Sequence, residues 1–367
     1  MNNNMTEASY SDERYIPINK GHFDLDTPER IAAFGKKLSM GWEKDYEEYR
    51  RLWIELAKVR QVRDYPLLVD LELSSRCNLS CPMCYTNTDE FRSKVDRKYM
   101  DYDLYKKIID EIAGKVYAVR LSLRGEATLN RHFIDAVAYA KEKGIPEVST
   151  LTHGQKFTGD FLRKVVDAGI DWITISVDGV GDTYNKIRRP LKWEDTLKRL
   201  KEIKNLKDKL GICKPVVKVQ GVWPAIREDP GAYFNALEPY SDLIAYNPLI
   251  DYLHNDSEII YEDNFACPQL YQRLVVGSDG RVMMCSNDED TLHPVGNAYQ
   301  QTIHEIWHGD HMNSVRQIHS QPDGFKTLQV CRNCYYPRKA IPDEVAQVNG
   351  RTVIIENYVN RAQQVGL

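Results

Sequence analysis

Three cysteines near residue 80 lie close enough in the chain to act together. Cys77, Cys81 and Cys84 have three and two residues between them, so their thiolates can converge on one small metal centre. Soft thiolates favour zinc, copper(I) or an iron-sulfur cluster, and structural zinc usually takes a closed set of four ligands. A four-iron cluster on three cysteines fits better, because one iron stays open to bind a small molecule. The alternative is three reduced core cysteines that are close by chance.

The residues before this loop must position it. The run from Leu67 to Leu73 is apolar and then alternating, a pattern that predicts a strand leading into the cysteines. Barrel enzymes carry their chemistry at the C-terminal ends of their strands. We therefore expect the metal centre at such an end.

With this strand and the C-x3-C-x2-C spacing, the sequence resembles the radical S-adenosylmethionine (SAM) superfamily. The resemblance implies a four-iron cluster on Cys77, Cys81 and Cys84. It also implies that the open iron chelates the amino and carboxylate groups of SAM, and that one electron splits SAM to a 5′-deoxyadenosyl radical. The family often has an aromatic residue just before the third cysteine, whereas this chain has Met83.

Further motifs follow the next predicted strands. Gly125-Glu126 is similar to the family's Gly-Glu motif, which implies a contact with the amino group of SAM. Arg124 is a candidate catalytic residue that contacts substrate or a carboxylate, or else an ordinary ion-pair partner. Thr152-His153 stands where many relatives have Thr-Asn, and Thr152 is a candidate SAM-binding residue. His153 is either a SAM contact or acid-base group near neutral pH, or a structural histidine.

Three polar residues farther along complete the expected SAM site. Ser176 and Asp178 resemble the family's Ser-x-Asp-Gly segment, which implies a contact of Ser176 with the ribose or methionine part of SAM. The alternative for this pair is a strand-ending turn. Arg188 is a candidate for the SAM carboxylate, because a guanidinium binds carboxylates in bidentate fashion, or else part of a solvated basic turn.

The last two predicted strands of the alternating region offer substrate-side candidates. Side chains at the ends of barrel strands face the ligand, and the candidates here are Gln220, Trp223, Tyr246, Asn247 and Asp251, of which Gln220 and Tyr246 are the catalytic choices. Each is otherwise a packing or capping residue. Cys213 stands apart from both cysteine groups, and we expect a packed thiol rather than a hydrogen-atom donor.

A second cysteine group lies in turn-rich sequence after residue 260. Cys267 and Cys285 flank a predicted hairpin at Gly277–Gly280, and Cys331-x2-Cys334 adds two thiolates. Four thiolates make a closed site, which zinc or a four-iron cluster would satisfy. The spacing resembles the SPASM or twitch extension of radical SAM enzymes, which favours an auxiliary four-iron cluster. A single-cluster, twitch-like extension is the better match, because no cysteine follows Cys334.

Strand-like and helical runs alternate between residues 67 and 254, which implies parallel strands with right-handed crossovers. The predicted strands are 67–73, 117–123, 147–152, 171–177, 215–222 and 242–247, and the predicted helices between them are 102–114, 131–143, 159–168, 193–208 and 230–237. Six such strands resemble the partial (β/α)6 barrel of the radical SAM family. The expected fold is therefore α/β, with this barrel followed by a small cluster-binding domain.

We predict four regions along the chain. Residues 1–66 form a helical extension that acts as a cap or packing element, with a substrate lid or subunit contact as the alternative. The radical SAM core spans 67–255 and the auxiliary cluster domain 256–340. Residues 341–367 form a tail with one strand, 352–355, and no assigned chemistry.

Composition excludes some classes of partner. The 367 residues are 42% hydrophobic, and 49 basic against 53 acidic residues give a net charge of -4. No basic excess points to nucleic acid or a membrane surface. The N-terminus shows no secretion signal and no apolar run reaches the length of a membrane span, so we expect a cytoplasmic protein.

The resemblance implies a radical SAM oxidoreductase. We expect hydrogen abstraction from a carbohydrate- or aminocyclitol-like small molecule, with oxidation or epimerisation as the outcome. An auxiliary cluster would move an electron, and a flavodoxin- or ferredoxin-type protein would reduce the SAM-binding cluster. The alternatives are a maturase that modifies a peptide and, outside the enzymes, an iron-sulfur electron carrier or a zinc-binding module.

Overall fold

The computed structural model describes residues 14–21, 23–248, 258–360 and 365. The strands are β1 (Phe23–Asp24), β2 (Leu68–Leu71), β3 (Ala118–Arg120), β4 (Glu147–Thr152), β5 (Trp172–Ser176), β6 (Val216–Val222), β7 (Leu243–Asn247), β8 (Arg273–Val276), β9 (Arg281–Met283), β10 (Pro294–Asn297), β11 (Ala340–Val348) and β12 (Arg351–Tyr358). The α-helices are α1 (Pro28–Ser39), α2 (Glu43–Val59), α3 (Asp89–Lys94), α4 (Tyr102–Ile112), α5 (Phe133–Glu142), α6 (Gly159–Asp167), α7 (Gly181–Ile187), α8 (Trp193–Leu210), α9 (Pro230–Leu237), α10 (Ile303–His308), α11 (Asp310–Ser320) and α12 (Gln329–Asn333).

Six parallel strands, β2 to β7, form a partial barrel in sequential order. Helices α4 to α9 connect them and pack their apolar residues on one face of the sheet, so this face is the outside of the barrel. Every strand and helix predicted between residues 67 and 247 is present, with ends within three residues of the prediction. The α/β barrel is confirmed.

Strand register decides which side chains face the inside. In β6 and β7, Gln220 pairs with Ala245 and Gly221 pairs with Tyr246. Because successive side chains point to opposite faces of a sheet, Gln220 and Tyr246 lie on different faces. Tyr246 belongs to the core between the strands and the outer helices, which leaves Gln220 on the inner face.

The N-terminal helices close the barrel at the end away from the cysteines. Phe34 and Leu38 of α1 pack on Val216 and Leu243, which begin or nearly begin their strands. In the same way, α2 packs Tyr49 and Trp53 on the first residues of β2 and β3. The packing interpretation of this region is therefore supported. A lid made by these helices over the C-terminal ends of the strands is excluded by their position.

Beyond the barrel, the sheet continues into the second cysteine region. Strand β8 pairs in parallel with β2, and β9 and β10 follow as antiparallel neighbours, so one sheet of ten strands joins both regions. The predicted hairpin turn between β8 and β9 is present, and Gly280 adopts φ +82°, a conformation that favours glycine.

The C-terminal region differs from the predicted tail with a single strand. Strands β11 and β12 pair as an antiparallel hairpin that packs on the outer layer beside α9. The guanidinium of Arg351 donates to the carbonyl oxygens of Leu25 and Asp26, and the indole of Trp223 donates to Glu344 at 2.8 Å. The β-branched run in β12 predicted that strand, whereas the polar residues and the proline of β11 gave no strand pattern. Within the described residues, no helix is both long and apolar enough to cross a membrane.

Candidate metal and SAM site

The first cysteine loop is held by contacts with two other parts of the chain and by one hydrogen bond of its own. The guanidinium of Arg97 donates to the carbonyl of Cys77 at 3.3 Å, and the amide of Ser80 donates to the carbonyl of Arg189 at 2.8 Å. A backbone bond from Cys84 to Cys81 closes the turn at 3.1 Å. These contacts involve the loop's backbone rather than its thiols, of which Sγ of Cys84 lies 3.0 Å from the hydroxyl of Thr86.

Gly125 is required by a close approach of two backbones. A Cβ atom at this position would lie 2.5 Å from the carbonyl oxygens of both Ser74 and Arg76, which lead into the cysteine loop. No side chain fits there. This glycine lets the loop after β3 pack on the cysteine loop.

Glu126 is buried and anchored by donors from neighbouring loops. Its Oε1 accepts hydrogen bonds from the hydroxyls of Thr128 and Thr152 at 2.6 and 2.7 Å. Its Oε2 accepts one from the amide of His153 at 3.0 Å. The amide of Thr128 also donates to Oε1, at 3.3 Å, and Oε2 lies 3.3 Å from Nε2 of His153. Oε2 therefore accepts fewer hydrogen bonds than Oε1 and is the oxygen more available to a ligand ammonium.

His153 links the end of β4 to the cysteine loop. The amide of Gln155 donates to its Nδ1 at 3.2 Å, so the ring hydrogen lies on Nε2, which is 2.8 Å from Oδ1 of Asn78. Burial lowers the pKa of His153, with a smaller opposing effect of Glu126. These contacts favour the structural alternative. The sequence did not single out Asn78, although it lies directly after Cys77.

Asp178 and Arg188 form an ion pair beside the cysteine loop. Nε of Arg188 lies 2.6 Å from Oδ2 of Asp178, and the amide of Val222 donates to Oδ1 at 2.9 Å. Burial raises the pKa of Cys81 to about 11, and the charge of Arg188 acts against this rise. Asp178 therefore orients Arg188 toward the loop. Ser176 lies on the inner face in register with Gln220.

Arg124 lies between the barrel and the second cysteine region. Its Nε donates to Glu72 at 2.6 Å, and Nη1 donates to the carbonyl of Glu289 and the hydroxyl of Thr291. Burial by itself would lower its pKa, but Glu72 raises the pKa of Arg124 above the usual value. All three nitrogens of the guanidinium bind protein groups, which favours the ion-pair alternative over a substrate contact.

The structure separates the substrate-side candidates. Gln220 and Asn247 lie on the inner face and bond to each other at 2.7 Å once the Asn247 amide is turned to satisfy both partners. Tyr246 faces outward instead, stacks on Phe23 and is covered by the C-terminal hairpin. Its strand parity is opposite to that of Gln220, so its side chain does not face the inner side where a substrate contact was predicted.

The sequence also singles out Trp223, Asp251 and Cys213. Trp223 packs beside Tyr246 on the outside of the barrel. Asp251 lies outside the described residues. Cys213 precedes β6 at the closed end of the barrel, with Sγ 3.4 Å from the sulfur of Met40. Cys213 is half-buried there and lies away from both cysteine groups.

The second cysteine group surrounds one pocket. Its four thiols line this pocket together, namely Cys267, Cys285, Cys331 and Cys334. The amide side chain of Asn287 donates to Sγ of Cys334 at 3.1 Å, and Nε2 of His319 lies 3.4 Å from Sγ of Cys331. Sequence reasoning missed both donors, because neither stands in a recognisable motif.

The donor sets fit iron-sulfur clusters. Three thiols on one loop leave a cluster with an open iron, four around a pocket enclose one, and N–H donors to sulfur are typical of both. Burial raises the pKa of Cys267 to about 12 and that of Cys334 to about 11. The thiols are therefore protonated without metal, and metal binding must release those protons.

Comparison with known families agrees with this geometry. The model of the radical SAM superfamily matches residues 71–213, and the SPASM model, an iron-sulfur cluster-binding domain, matches residues 267–335. Barrel, thiol sets and matches together define an iron-sulfur enzyme that uses SAM. The chain belongs to the radical SAM superfamily and carries a C-terminal SPASM domain.

Several curated relatives and solved structures are similar over parts of the chain. The tungsten-containing aldehyde ferredoxin oxidoreductase cofactor-modifying protein of Pyrococcus furiosus is 28% identical over 41% of this chain, and the match spans 42% of that protein's length, so less than half of it is represented. The SAM-dependent 2-deoxy-scyllo-inosamine dehydrogenase of Niallia circulans is 23% identical, with 73% of this chain and 92% of that protein covered. The crystal structure of Streptococcus suis SuiB bound to SAM superposes with a TM-score of 0.52 at 14% identity, over 83% of this chain and 82% of that one, and shows the shared fold.

Proposed function

We propose that the protein oxidises a secondary alcohol of a carbohydrate- or aminocyclitol-like substrate. When bound, SAM and a four-iron cluster on the first cysteine loop supply a 5′-deoxyadenosyl radical that removes a hydrogen atom, and a four-iron auxiliary cluster accepts an electron. The observation that carries the proposal is the difference in thiol count, three on the first loop and four around the second pocket. The first set leaves an open metal position, whereas the second is closed.

The chain's own residues orient SAM in this proposal. Oε2 of Glu126 binds the SAM ammonium, and the Nη atoms of Arg188 bind its carboxylate while Nε stays with Asp178. Ser176 contacts the ribose or methionine part from the inner face. The N-terminal helices close the opposite end of the barrel and exclude water from below.

Oxidation is favoured over epimerisation by the position of Cys213. An alcohol oxidation removes one hydrogen atom, one proton and one electron from the substrate, whereas an epimerisation must return a hydrogen atom. Seven of the eight cysteines belong to the two metal sets, and the eighth lies at the closed end of the barrel. The described residues thus offer no spare thiol near the site as a hydrogen donor. The dehydrogenase relative, which is matched over 92% of its length, supports the same choice.

Anaerobic reconstitution tests the two-cluster scheme. We expect about eight irons per chain, release of 5′-deoxyadenosine from reduced protein and SAM, and loss of this release in Cys77→Ala. A flavodoxin or ferredoxin should replace the chemical reductant. Zinc in place of iron, or about four irons, would overturn the scheme.

Isotope transfer tests the reaction. With 2-deoxy-scyllo-inosamine deuterated at single ring carbons as the probe, one position should pass deuterium to 5′-deoxyadenosine, and that carbon should become a ketone. Cys267→Ala should keep the deuterium transfer but lose the ketone, because the electron has no acceptor. Deuterium transfer from a peptide instead of any polyol would favour the maturase alternative.

A further inference from the structure

Lys218 is a buried lysine on the inner face of the barrel. It lies on β6 in register with Thr174 on β5 and Leu243 on β7. Its side chain lies on the same face of the sheet as that of Gln220, which is two residues farther along the strand. The whole residue is 8% exposed, although an ammonium group is strongly hydrated in water. Such burial requires a compensating partner.

Among the described residues, Lys218 has no hydrogen bond and no ion pair within 4.0 Å. The other well-buried lysines differ. The ammonium of Lys207, at 7% exposure, lies 2.8 Å from a carboxylate oxygen of Asp242. Lys20, at 9% exposure, bonds to the carbonyl of Arg338. The chain therefore pairs its buried ammonium groups elsewhere and leaves that of Lys218 without a partner inside the barrel.

Asp24 faces Lys218 from the edge of the barrel. Strand β1 pairs with β7 so that Asp24 stands opposite Ala245, whose side chain is on the inner face with Gln220. Asp24 is exposed and close enough that its charge raises the pKa of Lys218, although burial has the larger effect and lowers it. One donor and one acceptor thus stand near each other on the inner face of the barrel.

We propose that Lys218 and Asp24 form a substrate subsite that binds two neighbouring polar substituents of a hydroxyl-rich ring. The ammonium of Lys218 donates to a ring hydroxyl oxygen, and the carboxylate of Asp24 accepts from an adjacent hydroxyl or ammonium. This inference rests on the proposed function, whose substrate class it narrows. Lys218 lies one strand repeat, about 7 Å, below Ser176 and Gln220, a distance comparable to the length of a substituted six-membered ring.

The charges on this wall favour an uncharged or amine-bearing ring over an anionic one. Lys218 and Asp24 cancel each other, and the carboxylate repels an anion. The guanidinium groups of Arg120 and Arg273 are already paired, since Asp70 lies 2.7 Å from Arg120 and 3.2 Å from Arg273. Among the residues that the structure describes, the inner face therefore has no unpaired cluster of positive charges that could bind a carboxylate or phosphate.

The test compares reconstituted full-length variants with three probes, namely 2-deoxy-scyllo-inosamine, myo-inositol and glucuronate. The variants are Lys218→Met, Lys218→Arg, Asp24→Asn and the control Lys164→Met, which changes a lysine on α6 that pairs with an exposed aspartate. Release of 5′-deoxyadenosine is measured with and without each probe. In Lys218→Met we expect KM for the productive ring to rise about tenfold or more, because a charge-assisted hydrogen bond is lost. Lys218→Arg should show a smaller rise in KM than Lys218→Met, and KM of Lys164→Met should equal that of the wild type.

Asp24→Asn separates the two halves of the subsite. Asp24→Asn should raise KM for 2-deoxy-scyllo-inosamine, which bears the amine, more than KM for myo-inositol. An unchanged KM in Lys218→Met, or a wild type that responds to glucuronate alone or to none of the probes, overturns the subsite. If Lys218→Met does not load iron, KM of Lys218→Arg is compared with KM of the wild type instead, and an unchanged KM again overturns the subsite. Failure of the wild type to cleave SAM without any probe would instead overturn the proposed function.

Discussion

Arg124 and Glu72 form an ion pair that is buried where the barrel meets the SPASM domain, with Nε and Oε1 2.6 Å apart. The amide of Ser278, in the turn after β8, donates to the same carboxylate at 2.9 Å. Arg124 reaches on to Glu289 and Thr291, in the loop that carries Asn287. The pair therefore joins the strand that leads into the first cysteine loop to the surroundings of the second metal set.

Arg124→Met should destabilise the protein by about 3 kcal/mol or more, because it leaves the Glu72 carboxylate buried without a positively charged partner. Thermal unfolding of the anaerobic, iron-loaded protein measures the loss. The control is Arg163→Met, whose exposed pair with Asp167 contributes at most about 0.5 kcal/mol. Equal melting temperatures for the two variants would contradict a structural role of the Arg124 pair.

Gly125→Ala should prevent loading of the first cluster, since its Cβ would clash with the backbone of the cysteine loop. We expect about four irons fewer than in the wild type and loss of SAM cleavage, while the auxiliary cluster remains. Iron analysis and electron paramagnetic resonance measure this outcome. Gly35→Ala on α1 is the control, because the nearest atom to its Cβ is 3.9 Å away. Full iron content in Gly125→Ala would show that the loop tolerates displacement.

Asn287→Leu should make the reduction potential of the auxiliary cluster more negative, by roughly tens of millivolts. The variant removes a hydrogen bond to the sulfur of Cys334, and such bonds stabilise the reduced cluster. A redox titration followed by electron paramagnetic resonance measures the shift. Gln317→Leu on the exposed face of α11 should leave the potential unchanged. A shift of the same size in both variants would refute the specific role of Asn287.

Glu147→Gln should change how stability depends on pH. Burial raises the pKa of Glu147 to about 7, with a smaller contribution from Asp171. The folded state therefore holds this proton longer than the unfolded state does, and wild-type stability falls as pH rises from about 4.5 to about 7. Glu147→Gln has no carboxyl group to ionise at this position, so its stability does not fall in this way as pH rises.

Melting temperatures at about pH 5 and about pH 8 test this dependence. The advantage of Glu147→Gln over the wild type should be larger at the higher pH, where it approaches roughly 3 kcal/mol. Glu194→Gln on the exposed side of α8 should show a constant difference. A pH-independent gap for Glu147→Gln would contradict the raised pKa.

Tyr246→Phe should leave substrate turnover within about twofold of the wild type, because the hydroxyl faces outward and has no hydrogen-bond partner in the described structure. Gln220→Leu removes a polar group from the inner face and should raise KM of the productive polyol. Steady-state kinetics on the two variants side by side test this assignment. A stronger effect in Tyr246→Phe would reverse it.

The sequence by itself determined the local elements and the metal chemistry. Alternating strand and helix periods placed β2 to β7 and the helices between them, because hydrophobic periodicity reflects which face each element buries. The cysteine spacings determined two metal sets, since ligands on one short loop must lie close in space.

Only the tertiary structure decided what the polar residues between these elements do. Whether Gln220 or Tyr246 faces the substrate depends on one step of strand register, which no local pattern specifies. The partner of Arg124 is 52 residues away in the chain, and β8 pairs with β2 across about 200 residues. Packing over such separations depends on the whole fold, and for this reason Lys218 showed no signal in the sequence but stands unpaired inside the barrel.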